Sequence, residues 1–139
     1  MFDRKGQIRI IEAFLAVGVI FSALLISFTF PASPDLAKQK SLAQVGMQAL
    51  MKLDTNGTLA NLVEGQDWTA IKESVDILLP IGVAFNLTVY DENRQQVNLQ
   101  PIRNSNLLGH ESVSVQYICA TRNQVVQLFL LRLQLAWTT

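Results

Sequence analysis

One cysteine, one histidine and four prolines are all that this sequence of 139 residues holds of three residue types that often mark chemistry or irregular structure. A lone cysteine, Cys119, excludes an internal disulfide and leaves too few soft ligands for a structural zinc site. His110, between Gly109 and Glu111, has no second imidazole and no cysteine pair with which to hold a metal, and reads as a surface loop residue. It is also the only imidazole that could activate Cys119, which is more simply a small buried hydrophobe on the apolar face of a strand. Gly-rich phosphate loops, nucleophile elbows and zinc-binding helix motifs are missing too. The expectation is a protein without catalytic residues, metal or cofactor, and not an enzyme.

An excess of one charge sign is missing as well. Eleven Lys and Arg balance eleven Asp and Glu, so no broad positive field would hold a phosphate backbone, and nucleic acid is not an expected partner. The length allows one domain of ordinary size, and half of the residues are apolar. With no disulfide, stability has to come from packing, either within the chain or against neighbours.

One long apolar run is present. From Ala13 to Phe30 there are 18 residues without a charge. As a helix they rise about 27 Å, against a hydrocarbon core of about 30 Å. Extending the helix back to Ile8 supplies the missing length if Arg9 and Glu12 lie near the interface, where long side chains reach headgroups and water. Arg4, Lys5 and Arg9 precede the run and Pro31-Ala-Ser-Pro-Asp35 follows it. The basic-side rule then puts the N-terminus in the cytoplasm and everything after Pro31 outside. A secretory signal has a shorter apolar centre of about 7 to 15 residues. Ala32-Ser33 imitates a cut site, but a helix this apolar is expected to stay in membrane lipid. Release of a soluble head near Ala32 is the lesser alternative.

A carboxylate near the end of such a helix is costly unless it reaches water or a cation. Glu12 therefore either snorkels to the interface beside Arg9 or meets an amine or basic residue of another subunit. Gly18 and Ser22, four apart on one helix face, permit close helix contact, although small residues are also common in membrane helices generally.

Arg4-Lys5-Gly6-Gln7-Ile8, directly before a long apolar helix, resembles the class III signal sequence of archaeal type IV pilin-like proteins. The resemblance implies that a prepilin peptidase cuts on the cytoplasmic side, between Gly6 and Gln7. Residues 1–6 would then be a signal segment, 7–30 a membrane or filament-core helix and 31–139 an extracellular head. It also implies partners, namely copies of the chain or other pilin-like subunits, with Glu12 as the glutamate that pairs with a neighbour's N-terminal amine. The family usually carries that glutamate one residue earlier, where Ile11 stands here. Leu79-Pro-Ile-Gly-Val with Asn86-Leu-Thr-Val-Tyr90 is similar to the outer domain of small archaeal pilin-like proteins. The expected function is a structural subunit, major or minor, of a type IV pilus-like surface filament. The alternative is an unprocessed single-span membrane protein with an extracellular binding or sensing head.

Beyond the run, Ser33 as N-cap and Pro34 at the first helical position start a second helix. On it Leu36, Ala43, Met47, Leu50 and Leu53 recur at helical spacing, and Lys38, Gln39, Lys40, Gln44 and Gln48 cover the rest. Only prolines 31 and 34 separate the two helices, so one long kinked rod is expected. Asp54-Thr-Asn-Gly57 ends the second helix by turn chemistry, and Leu59, Leu62 and Val63 suggest one more short turn before Gly65. Asp67 caps a further helix whose stripe of Trp68, Ile71, Val75 and Leu78 is stopped by Pro80. Helices thus occupy 34–79.

After Gly82 the period changes to two, with Val83, Phe85, Leu87 and Val89 alternating against polar neighbours. The turn Asp91-Glu-Asn-Arg94, a weaker return strand through Val97 and Leu99 ending at Pro101, and a loop over 102–111 follow. A third strand carries Val113, Val115, Tyr117 and Cys119; Arg122-Asn-Gln124 joins it to a fourth with Phe129, Leu131, Leu133, Leu135 and Trp137. The expected fold class is α+β: a long N-terminal hydrophobic helix, then a small head of helices and a three- to four-stranded antiparallel sheet over 83–137. Val125 to Leu131 is apolar on both faces, so Leu128 and Leu130 need cover from a helix or another subunit. Asn56-Gly-Thr58, in a loop, and Asn86-Leu-Thr88, on the polar face of a strand, match the N-glycosylation pattern.

Overall fold

Every second side chain from Val83 to Val89, and again from Leu131 to Leu135, is a large apolar one, and a period of two has one low-energy use: a sheet with one face against a core. The computed structural model describes residues 4–29, 34–121 and 125–138, the first of these stretches with side chains for 8–25 only. In chain order it contains α1 (Arg4–Thr29), α2 (Pro34–Asp54), α3 (Thr58–Glu64), α4 (Trp68–Leu78), β1 (Val83–Tyr90), β2 (Ile102–Arg103), β3 (Ser112–Thr121) and β4 (Gln127–Trp137). The class is α+β. The chain divides into two units, Met1–Pro34 and Asp35–Thr139.

The second unit is built on an antiparallel sheet of order β2-β1-β4-β3. Phe85 stands opposite Leu135, Leu87 opposite Leu133 and Val89 opposite Leu131. All six are fully buried, and Ile102 on β2 with Val115 and Cys119 on β3 continues the same layer. Three helices cover it, contributing Leu42, Ala49 and Leu50 from α2, Leu59 and Val63 from α3, and Ile71 and Val75 from α4. The short helix α3, the Asp67 cap and the Asp91–Arg94 turn lie where their residue chemistry predicts. Asp67 Oδ1 accepts from Ala70 N at 3.0 Å, and Asp91 Oδ1 accepts from Asn93 N and Gln95 N at 2.9 and 2.8 Å. Gly57, at φ 70, makes the left-handed turn between α2 and α3.

Several expectations need correction. On α2 the residues that face the sheet are Leu42, Gly46, Ala49 and Leu50; Leu36 is exposed, and Ala43, Met47 and Leu53 are only partly buried. Apolar residues lie around much of this helix, so periodicity leaves its rotation open. Gly46 decides it: a Cβ there would strike Leu135 Cδ1 and stand 3.4 Å from Leu133 Cδ2, so only a glycine lets the helix come this close to β4. In α4 the last expected stripe residue, Leu78, is exposed and Leu79 is buried instead, because Leu79 adopts extended backbone and turns inward as the helix ends. Trp137, expected to continue the inward face of β4, is partly exposed at the end of its strand.

The return strand is cut short: Gln96 bridges Tyr90, Val97 N donates to Val89 O at 2.8 Å and Val97 packs on the core, but beyond it side-chain pairing takes over. Leu99 is exposed, and among the described residues the strand beside β1 on this edge is β2, inside the stretch expected to be loop. Two asparagine carboxamides supply the missing ladder. Asn98 is buried; its Oδ1 accepts from Val89 N at 2.7 Å and its Nδ2 donates to Leu87 O and Gln100 O at 3.5 and 3.0 Å. Asn104 accepts from Phe85 N at 2.9 Å and donates to Val83 O at 3.0 Å and to Asp76 Oδ1 on α4 at 2.8 Å. A carboxamide carries the same donor and acceptor as a peptide group, so it closes a strand edge where Pro101 interrupts regular pairing. The Ser33 cap, the kink at 30–33 and the Arg122-Asn-Gln124 turn lie outside the described residues.

Two variants check this arrangement. An alanine at an open helix position in place of glycine would add about 1 kcal/mol of helix propensity, whereas Gly46→Ala is expected to lower the unfolding free energy by about 1 kcal/mol through overpacking against Leu135. Asn98→Ala is expected to cost about 2–4 kcal/mol, because two backbone groups of β1 lose their partner out of reach of water. Asn104→Ala, at an exposed position where water replaces the amide, is expected to cost less than half of that. Denaturant midpoints rank the three.

Candidate functional site

Eighteen residues of α1, Ile8–Leu25, have a mean hydropathy of 2.2, and none of them is buried. Ile8, Ile10, Ile11, Phe14, Leu15, Val17, Val19, Ile20, Phe21, Leu24 and Leu25 are all at least half exposed. Successive residues turn by about 100°, so these side chains point in every direction and the helix has no polar face to give to water. Each such side chain loses about 1.5–3 kcal/mol when left in water. Eleven of them amount to on the order of 20 kcal/mol, more than the usual 5–15 kcal/mol stability of a whole domain. The helix is long and apolar enough to cross a membrane.

The features singled out on this helix are placed as follows. Glu12 and Arg9 are both exposed, three residues apart and so on one side of α1. Around Gly18 the space is open within 4 Å. Ser22 Oγ donates to Gly18 O at 2.6 Å. The hydroxyl of Ser22 is thereby satisfied by its own helix and needs no acceptor across a helix pair, while the notch at Gly18 remains for close approach. Lys5, Gly6 and Gln7 lie in the first turns of α1 as backbone, their side chains being outside the described residues.

The two sequons differ in setting. Asn56 and Thr58 are exposed in the turn from α2 to α3. Asn86 sits half-buried in the middle of β1, where its Nδ2 donates across the sheet to Gln134 Oε1 at 3.3 Å. Arg103 and the loop Ser105 to Gly109 line a groove beside this pair. An oligosaccharide at Asn86 would have to displace that bond, whereas at Asn56 it would project from a turn.

His110 is exposed and lies before β3, while Cys119 is buried eight positions into that strand. Seven residue steps along the strand lead from Ser112 to Cys119, about 23 Å, so the imidazole and the thiol are not brought together. Burial, reinforced by the Asp54 carboxylate, pushes the Cys119 thiol up to about 11. Among the described residues no group of three or more His, Cys, Asp or Glu is placed to hold a metal ion.

One polar contact was not legible beforehand. Tyr117 Oη donates to Asp54 Oδ2 at 2.6 Å, tying β3 to the last residue of α2 across 63 positions of sequence. A carboxylate at a helix C-terminus opposes the helix dipole, and the hydroxyl offsets that cost. The hydrogen bond to Asp54 first, and partial burial second, push the Tyr117 phenol up to about 12.

On the outer face of the sheet Ile118 and Leu128 are exposed and Leu130 is partly so, and Val125 and Val126, just before β4, are exposed too. Among the described residues of the head no helix packs on Leu128, which is exposed, and Leu130 is partly buried. No family model, curated protein or solved structure matches this chain.

The raised phenol and thiol set a pH dependence. Both groups are neutral in the fold and ionise more easily when unfolded, so their stabilisation is complete below about pH 9. It is lost as pH rises, through about 9 to 11 for Cys119 and about 10 to 12 for Tyr117. The denaturation midpoint is expected to fall over this window. Tyr117→Phe should be less stable at pH 8 and show a shallower fall from 10 to 12; an equally steep fall would contradict the assignment.

Proposed function

We propose that this chain is a structural subunit of a type IV pilus-like surface filament, held in the membrane by α1 before assembly and processed between Gly6 and Gln7. The observation that carries the reading is the eighteen-residue stretch Ile8–Leu25, apolar on every side and wholly exposed, attached to a head that has a core of its own. A helix of this kind is stable in lipid. It is equally stable among copies of itself, because both environments remove the same apolar surface from water. Moving subunits from bilayer to filament then needs no covalent bond between them.

In this reading the N-terminus is cytoplasmic, as the Arg4, Lys5 and Arg9 cluster favours, and the head is extracellular. Glu12 has two uses. In the bilayer it reaches the interface beside Arg9; in the filament it meets the Gln7 amine of a neighbour. The notch at Gly18 admits a close neighbouring helix. The partners are membrane lipid, a prepilin peptidase and like subunits, and no catalysis is assigned to the chain.

A second reading, an unprocessed single-span protein whose head binds a partner, is favoured by one observation, the uncovered apolar side chains Ile118, Val125, Val126 and Leu128. The two readings separate on the mature N-terminus. Protein purified from native membranes is expected to begin at Gln7 by intact mass, and Gly6→Phe is expected to abolish processing and assembly while leaving the chain in the membrane. A first residue of Met1 together with unimpaired function of the Gly6→Phe protein would overturn the filament proposal.

A further inference from the structure

The register of the sheet decides which backbone groups of each strand point to which side. In an antiparallel ladder the N–H and C=O of one residue point to one side and those of the next residue to the other. On β1, Val83 O, Phe85 N, Leu87 O and Val89 N all meet Asn98 or Asn104, so the odd-numbered residues face away from β4 and the even-numbered ones face it. Ala84 stands opposite Ala136 and Asn86 opposite Gln134, which leaves the odd-numbered residues of β4 to bond β3. Their partners are Val113, Val115, Tyr117 and Cys119. The backbone groups of Ser112, Ser114, Gln116, Ile118 and Ala120 therefore point outward, to the side where the head has no further strand among the described residues.

Sheet edges are commonly blunted by a lysine, a proline, a bulge or a short strand. β3 has none of these. It runs from Ser112 to Thr121 without a charged residue, proline or glycine, and pairs with β4 without a break in register. The β1 edge, by contrast, has its outward groups occupied by two carboxamides. Beside one half of the β3 edge, Asp54, Asn56 and Gly57 of the turn after α2, with Ala60 and Asn61 of α3, wall a groove that Ile118 and Ala120 also line. In the other half, Ser112 and Ser114 are small and exposed.

We propose that this edge is a self-pairing interface: β3 of a second copy lies antiparallel against it, about a two-fold axis at Gln116, and joins the two four-stranded sheets into one. Three features select a copy of the chain over an unrelated strand. Centred on Gln116, Ser112 meets the second copy's Ala120 and Ser114 its Ile118, so each outward group on one edge finds its complement on the other; sliding the pair by two residues leaves groups bare at both ends. An uncharged strand also sets no like charges opposite one another when it pairs with itself. The two-fold, finally, offers the Ser112 and Ser114 end of each copy to the groove of the other, so the two groove walls lie at opposite ends of the pair and do not collide. The interface belongs to the head alone and does not depend on the filament reading.

The test uses the full, unglycosylated chain in detergent micelles. Sedimentation equilibrium is expected to show a dimer of the 15.5 kDa protomer at micromolar concentration. Gln116→Pro removes the outward N–H at the axis and no bond to β4; with both axial hydrogen bonds lost, dimerisation is expected to weaken about tenfold or more, with the far-UV circular dichroism unchanged. Should that variant fail to fold, Gln116→Lys sets two ammonium groups against each other across the axis, and its dissociation is expected to be relieved by salt. Cross-linking checks the register. Hydrogen-bonded partners in an antiparallel pair have Cα atoms about 5.5 Å apart, within reach of a disulfide, so Gln116→Cys is expected to link to its own copy under mild oxidation. Ser112→Cys, about 27 Å from its counterpart, is not, and the buried Cys119 takes no part. A wild-type chain that stays monomeric overturns the proposal. So does association of the Gln116 variants as tight as wild type, which would assign the contact to another surface such as α1. Cross-linking at Ser112 as efficient as at Gln116, or a Gln116→Cys thiol that in native membranes links to a different protein and never to its own copy, overturns it as well.

Discussion

An apolar helix with no polar side cannot be left in water, and the rest of the molecule is organised around that constraint. Most surface helices solve it by turning one stripe toward their own domain. α1 has no such stripe to turn: its exposed residues include Ile10, Ile11, Val19 and Ile20, which at about 100° per residue point to four different sides of the helix. The head accordingly completes its core without it. Leu42, Leu50, Leu59, Ile71 and Val75 close the helical side, and Phe85, Leu87, Leu133 and Leu135 the sheet side.

Within the head the tightest requirement is the approach of α2 to β4. β4 is a central strand, paired with β1 on one side and β3 on the other, so any shift of Leu133 or Leu135 is felt by the whole sheet. Gly46 lets α2 settle onto those two leucines. The Tyr117–Asp54 hydrogen bond then holds the far end of the same helix to β3. On the opposite edge β1 has almost no strand beside it. Asn98 and Asn104 close that edge with side-chain amides, an arrangement that leaves fewer bare donors and acceptors for another strand to pair with.

The two ends of the head also differ in what they leave exposed. The end near the first turn of α2 carries Trp137 and Ile81 amid mixed charges, and the far end carries Ile118, Leu128 and the Asn56 turn.

Local pattern was enough for the existence and type of most elements. The apolar run, the Pro34 helix start, the Asp67 cap, the alternation from Val83 to Val89 and that of β4 each depend on residues within one or two turns or strands of each other, and α+β architecture follows from their order. What local pattern left open was every choice set by distant partners. The rotation of α2 depends on Gly46 meeting Leu135, 89 positions later, and several apolar stripes compete on that helix until the sheet selects one. The substitution of Asn98 and Asn104 for a return strand depends on which backbone groups of β1 remain unpaired once β4 has taken the other side. Tyr117 finds Asp54 only after α2 and β3 have packed. The sequence by itself determined that one segment must leave water and that the remainder folds as helices on an antiparallel sheet, because hydropathy and periodicity are local properties of the chain. Tertiary structure decided which faces meet, which edge is closed by side chains and which apolar residues are left outside, because those depend on contacts between residues that the sequence keeps far apart.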